Sequence, residues 1–244
     1  MEVCVDRVDS AINAQTGGSI RLELCACLAD GGTTPSIGML AVIKKLVHIP
    51  VFVMIRPRAG DFLFSDDELA VMKQDIIHLK KAGADGFVFG ILTENGEVDA
   101  PRCKELLDII RPLPATFHRA IDMTQDIFKA LDDIMTLGFD RVLSSGGCAT
   151  AHKGVEVLRE MISKAGNKMV VMPGGGITEN NLKDILSCGA KEFHGSARCK
   201  LPSTMKFRKS DLSMGSDLGK EYEASVTSKE MVQSLVKIAK DMWS

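Results

Sequence analysis

Four absences narrow this sequence before any motif is read. No apolar run approaches the roughly 20 residues that a helix needs to cross a bilayer, and the longest, such as residues 51–55, are strand-length. The opening Met1-Glu-Val-Cys-Val-Asp6 has neither a basic start nor a long apolar stretch, so no export signal is expected there. Neither sign of charge is in excess: Lys and Arg number 30, Asp and Glu 32, for a net −2. That balance excludes a polybasic nucleic-acid binder and an acidic-tail protein, so neither nucleic acid nor membrane is expected as a partner. Paired cysteines are missing too. There are seven, an odd number at irregular spacing, which argues against a disulfide framework and for reduced thiols in the cytoplasm. No Gly-x-Gly-x-x-Gly follows the first apolar run, and no P-loop, Cys-x-x-Cys pair, His-x-x-x-His helix or Ser-His-Asp order is legible.

What is present is an alternation. The chain has 244 residues, 45% of them hydrophobic, enough for a large core and too apolar for disorder. Short apolar runs start near Glu2, Ile20, Val51, Gly86, Ala115, Arg141, Met169 and Glu192. They lie roughly 27 residues apart, room for a strand and a crossover helix in each unit. Helix signals fall between them. Ser36 precedes an apolar-periodic run to Val47. Ser65 with Glu68 forms a capping box before a helix to Ala82. Asp126 opens a helix closed by Gly138, and Thr178 opens one closed by Gly189. A weak repeat of a helix-ending glycine, a polar turn and a strand recurs at Gly83, Gly138 and Gly189. Eight such units predict one α/β domain over residues 1–244, a closed (β/α)8 TIM barrel, with a doubly wound open sheet as the alternative. Residues 201–227 break the rhythm and read as a polar excursion, a surface patch or an oligomer contact, before a final helix from Ser228 to Met242.

Strand alternation assigns faces. Val3, Val5, Leu22, Leu24, Val51, Val53, Ile55, Phe117 and Phe193 belong against the helices. Glu2, Cys4, Asp6, Arg21, Glu23, Cys25, Phe52, Met54, Arg56, Thr116, His118, Glu192 and His194 then point into the barrel. The opposite register would put several charges among the helices, at several kcal/mol for each unpaired ion. The interior is therefore ionic: a space-filling carboxylate–arginine network, or a ligand site.

Barrel sites lie at the C-terminal strand ends, and many barrels hold phosphate in the loops after strands seven and eight. Met172-Pro-Gly-Gly-Gly-Ile177 follows the seventh strand, His194-Gly-Ser-Ala-Arg198 the eighth and Ser144-Ser-Gly-Gly147 the sixth. Glycines let backbone N–H groups converge on an anion. The expected anion-binding set is Arg56, Arg119, Ser145, Gly174, Gly175, Gly176 and Ser196. The catalytic candidates are Glu23, Arg56, His118 and Asp122, with His118 beside an acid as a general base. The same loops serve equally as tight turns with no ligand. Cys4 and Cys25 sit on adjacent strands, both inward, so two sulfurs could share one soft ion, above all Cu(I). Against that stands the common role of cysteine as a small buried hydrophobe. Glu2 and Glu23 nearby would raise a thiol's pKa and oppose thiolate formation. Cys27, Cys148 and Cys199 fall near the mouth, whereas Cys103 and Cys188 read as structural and His48, His78 and His152 as surface.

Several segments together resemble one family: Met1-Glu-Val-Cys-Val-Asp6, Arg21-Leu-Glu-Leu-Cys25 with Gly31-Gly-Thr-Thr-Pro-Ser36, Val53-Met-Ile-Arg-Pro-Arg58 with Gly60-Asp-Phe62, Phe117-His-Arg-Ala120, and the triple glycine after Met172. They are similar to the CutC copper-homeostasis family, animal-type members most of all, from Met1 to about Arg208. The resemblance implies a (β/α)8 barrel, a cytoplasmic and in animals also nuclear location, a homo-oligomer (dimer or tetramer), and Cu(I) bound through cysteines, here Cys4 and Cys25. Two positions depart from the pattern. Cys27 stands where a glycine is more usual, adding a thiol, and Gly195 where animal members often carry cysteine. The family has no firmly assigned reaction. Two functions are therefore expected: Cu(I)-binding homeostasis, or an enzyme acting on a small phosphorylated or carboxylated metabolite.

Overall fold

The computed structural model describes residues 1–209 and 222–244. Eight parallel strands form one sheet: β1 (Glu2–Val5), β2 (Arg21–Leu24), β3 (Val51–Met54), β4 (Gly86–Phe89), β5 (Ala115–Phe117), β6 (Arg141–Ser144), β7 (Val170–Pro173) and β8 (His194–Gly195). Each pairs with its neighbour in sequence, and β8 returns to β1 through Glu2 opposite His194. A bridge from Gly174 to His194 joins β7 to β8 and closes the barrel. All eight strands start within two residues of the predicted points, because the apolar runs are of strand length and bounded by turn residues.

The helices are α1 (Val8–Thr16), α2 (Ile37–Leu46), α3 (Asp66–Lys81), α4 (Ala100–Ile110), α5 (Ile127–Leu137), α6 (Val155–Ala165), α7 (Leu182–Leu186) and α8 (Lys229–Trp243). Their caps are local chemistry. Ser65 accepts from the Glu68 N–H while Glu68 accepts from the Ser65 N–H, the reciprocal pair predicted at α3. Asp126 accepts from Phe128 and Lys129, and Gly138 ends α5 in the left-handed region at φ 82°. One helix is shorter than expected. Regular α-helix after β7 covers only Leu182–Leu186, not the span from Thr178 to Gly189. The Asn181 side chain folds back, accepting from the Thr178 N–H at 2.8 Å and donating to the Gly176 carbonyl at 2.8 Å. That holds residues 178–181 in a turn.

The predicted faces hold. Val3, Val5, Leu22, Leu24, Val51, Val53, Ile55, Phe117 and Phe193 join the helices in the main core, while Cys25, Phe52, Met54 and Val88 form a separate cluster inside the barrel. The break in rhythm begins at Arg198, where β9 (Arg198–Pro202) pairs antiparallel with β10 (Glu223–Thr227). This ribbon ties to α1, where the Thr227 N–H donates to Ser10 Oγ at 3.1 Å and Asn13 Nδ2 to the Thr227 carbonyl at 2.9 Å. Residues 210–221 of the predicted excursion lie outside the described residues.

Candidate functional site

The interior is built in three tiers. In the lowest, Arg21 bridges the carboxylates of Glu2 and Glu192. Arg141 Nε reaches Glu192 at 3.2 Å, and both guanidinium groups lie over the Phe52 ring, at 5.1 and 5.6 Å from its centroid. Unpaired, a carboxylate as buried as Glu2 would be intolerable. Burial pushes its pKa up, but the His194 hydrogen bond and the Arg21 charge overrule it and hold it down at about 2. This tier is the carboxylate–arginine network that was one of the two alternatives for the ionic strands, and Arg21, Phe52 and Arg141 line a cavity at the N-terminal end of the barrel with Lys168 and Lys191.

The middle tier comes from strand register. Cys4 lies opposite Glu23 across β1 and β2, and the pairing of β1 with β8 brings in His194. The Cys4 sulfur, a Glu23 carboxylate oxygen and a His194 ring nitrogen lie within 4.8 Å of one another. His194 Nδ1 is 2.7 Å from Glu2 Oε1, leaving Nε2 to face Glu23 Oε2 at 3.7 Å. Burial opposes charge on His194, but Glu23 and Cys4 beside it prevail, and its pKa stands well above the ordinary value. Burial pushes the Glu23 carboxyl up despite His194, and its Oε1 has no hydrogen-bond partner. Cys25 sits one step further along β2. Its thiol donates to Glu23 Oε2 at 3.4 Å, and burial, aided by the Glu23 charge, raises its pKa well above 9. Resting Cys25 is therefore a neutral thiol, as the nearby carboxylates implied.

The upper tier opens into a cavity of about 510 Å³ at the C-terminal face. Of the catalytic candidates, Glu23, Arg56, His118 and Asp122 all line it, as do Arg119, Gly175, Gly176 and Ser196 of the anion set, while Cys4 and His194 form part of its wall. Their chemical states differ. Arg56 is a clamp: Nη1 donates to the Asp30 and Gly32 carbonyls at 2.9 and 3.0 Å, and Nη2 to that of Gly60 at 2.7 Å. Asp122 is an organiser. It accepts from Ser144 Oγ (2.6 Å), Ser145 Oγ (2.9 Å), the Ser145 and Gly147 N–H groups and Arg119 Nε (2.8 Å). Ser145 Oγ also lies 2.5 Å from the Cys148 carbonyl, so its single proton is shared between that oxygen and Asp122, and a Cβ on Gly174 would meet Leu143 at 2.5 Å. Those two residues shape the wall without lining it. Two nitrogens escape this saturation, Arg56 Nε and one ring nitrogen of His118. Its Nδ1 accepts from the Ala120 N–H at 3.2 Å, and its buried Nε2 has no partner. Burial and the Arg56 charge lower its pKa to about 3, so the ring is neutral and carries its proton on Nε2.

His194 and Arg198 are among the lining residues that carried no expectation as ligands. His194 was placed facing inward only, because its partnership with Cys4 needs the barrel closed. Arg198, which pairs with Asp6 at 3.4 Å, lies past a strand whose two-residue length was not legible. Cys27 is exposed at a left-handed turn (φ 47°), and Cys199 is exposed on β9.

Fold and site together define a closed (β/α)8 barrel whose ionic interior rises into a cavity holding thiol, carboxylate and imidazole. The profile of the CutC family matches residues 1–199, and the chain belongs to that family. It is 54% identical over 244 residues to the mouse copper homeostasis protein cutC homolog, covering 99% of this chain and 90% of the relative. The human homolog is likewise 54% identical, with 99% and 89% covered. The crystal structure of the putative copper homeostasis protein CutC from Streptococcus agalactiae superposes with a TM-score of 0.76 at 34% identity, covering 80% of this chain and 97% of that one.

Proposed function

We propose that this chain serves copper homeostasis by holding one Cu(I) ion as cargo at the floor of the C-terminal cavity. In this reading Cys4 is the principal ligand, joined by Cys25 once its thiol is deprotonated and by His194 once Cu(I) displaces the Nε2 proton that its raised pKa retains at rest. The observation that carries it is the convergence of Cys4, Glu23 and His194 within 4.8 Å in the wall of an open cavity. Thiolate and imidazole suit a soft monovalent ion, while Glu23, a hard donor, is better placed to take up the thiol proton. A reducing, cytoplasmic setting fits seven free thiols.

Anaerobic Cu(I) titration against a competing chelator tests this, on wild type and the Cys4→Ser, Cys25→Ser and Cys27→Ser variants. One ion per chain is expected, with at least a tenfold loss of affinity in Cys4→Ser and none in Cys27→Ser. Wild-type affinity in Cys4→Ser removes the site from the barrel interior. Loss confined to Cys27→Ser moves it to the mouth. Preference for Zn(II) over Cu(I) at Cys4 overturns the choice of ion.

A further inference from the structure

The copper reading leaves the upper half of the cavity unused, and that half is built for something else. Gly175 and Gly176, after β7, adopt φ 104° and 70°, and Ala197, after β8, φ 45°. The flanking residues of the β7 loop spend their amides: the Gly174 N–H goes to the Ser144 carbonyl at 2.9 Å and the Thr178 N–H to Asn181 at 2.8 Å. Between them, the N–H groups of Gly175 and Gly176 have no acceptor among the described residues, and neither has that of Ser196. Arg119 stands over this concavity. Asp122 and Ser145 fix its Nε and Nη2 at 2.8 Å each, and its Nη1 lies 3.3 Å from where a Gly175 Cβ would stand. Free backbone donors on two loops that line one cavity, with a cation locked beside Gly175, make a cradle for an anion with several oxygens.

A second observation extends the ligand beyond the anion. His118 is 4% exposed, lines the same cavity, and keeps an unpartnered Nε2–H. A buried donor left without an acceptor carries a desolvation penalty that a ligand oxygen relieves. The Phe62 ring, 4.8 Å from the imidazole, adds an apolar wall. The Arg56 charge bears on His118, but its Nη1 and Nη2 are occupied by loop carbonyls and only its buried Nε lacks a partner, so it positions the wall.

We propose that the cavity binds a small phosphate ester, with the phosphate on the Gly175, Gly176 and Ser196 amides beside Arg119 and a carbonyl or hydroxyl oxygen of the organic part accepting from His118 Nε2–H. Phosphate is favoured over carboxylate because three amides and a guanidinium offer more donors than two oxygens accept in one plane. The cradle gives charge and the histidine gives discrimination, since an ester lacking that oxygen leaves the donor orphaned.

The test uses the copper-free full chain and needs no variant to begin. Glycerol 3-phosphate, inorganic phosphate, glycerol and glycerate are titrated while backbone amide resonances are followed. Glycerol 3-phosphate should shift the amides of Gly175, Gly176 and Ser196 saturably, and bind at least tenfold more tightly than glycerol or inorganic phosphate. Ser196→Asp should weaken it at least tenfold by placing a negative charge in the cradle. His118→Phe should weaken the ester severalfold and leave inorganic phosphate within twofold. Shifts absent from those three amides, or centred on the cavity at the opposite barrel end lined by Lys168 and Lys191, overturn the proposal. Tighter binding of glycerate than of glycerol 3-phosphate overturns the choice of phosphate, and equal binding of inorganic phosphate overturns the role of the organic part.

Discussion

A buried, uncharged imidazole should make this fold sensitive to mild acid. His118 has its pKa lowered to about 3 by burial and by the charge of Arg56, whereas an imidazole in the unfolded chain titrates near pH ~6.5. Because the folded value lies below the unfolded one, the group's contribution is complete above about pH 6.5 and is lost as pH falls toward 3, where only the unfolded chain takes up the proton. Each pH unit in that window is worth about 1.4 kcal/mol. Between pH 7.5 and pH 4.5 this one side chain should therefore withdraw about 3 kcal/mol. His118→Phe keeps a ring beside Phe62 and abolishes the titration. It also removes the acceptor for the Ala120 N–H, a loss of about 1 kcal/mol that does not vary with pH. The carboxylates titrate alike in both proteins, so the difference between them isolates the imidazole. Urea unfolding followed by circular dichroism at pH 4.5, 5.5, 6.5 and 7.5 reads it. The wild-type advantage should shrink by about 3 kcal/mol across that range, and parallel pH profiles would refute the neutral-imidazole argument.

Two further perturbations address the scaffold. Arg21→Met leaves Glu2 and Glu192 without their shared cation. It should cost about 3–5 kcal/mol in urea unfolding, and a loss under about 1 kcal/mol would show that Arg141 alone neutralises the lower tier. Gly154→Ala sets a Cβ 2.0 Å from the Ser145 carbonyl oxygen, a backbone atom that cannot step aside cheaply. Overpacking of that kind costs about 1–3 kcal/mol, read as a Tm lower by roughly 2–4 °C per kcal/mol. An unchanged Tm would mean that the β6 loop yields freely.

Much of the barrel was legible in the chain because its signals are local. A strand's two faces follow from period two, so Val3, Val5, Leu22 and Leu24 sorted outward and Glu2, Cys4, Arg21 and Glu23 inward without knowledge of any neighbour. Caps are local too: Ser65 with Glu68, and Asp126 with Gly138, needed only residues within one turn. The helix after β7 escaped because one side chain, Asn181, competes with the helix for the backbone of residues 176–178.

The site divides along the same line. Sequence alone determined which side chains enter the barrel and which glycines stand at its C-terminal mouth, since alternation and turn chemistry are properties of a few consecutive residues. Only the closed structure decided which of them meet. Cys4 aligns with Glu23, and Cys25 falls a step beyond, because adjacent strands are staggered by the barrel's tilt. His194 joins them through contact between the first strand and the last, 192 residues apart at Glu2. Asp122, an apparent partner for His118, is instead taken up by Ser144, Ser145, Gly147 and Arg119 from neighbouring elements. Which donors stay free in a cavity depends on every other donor and acceptor around it, a sum over the whole fold that no segment of sequence contains.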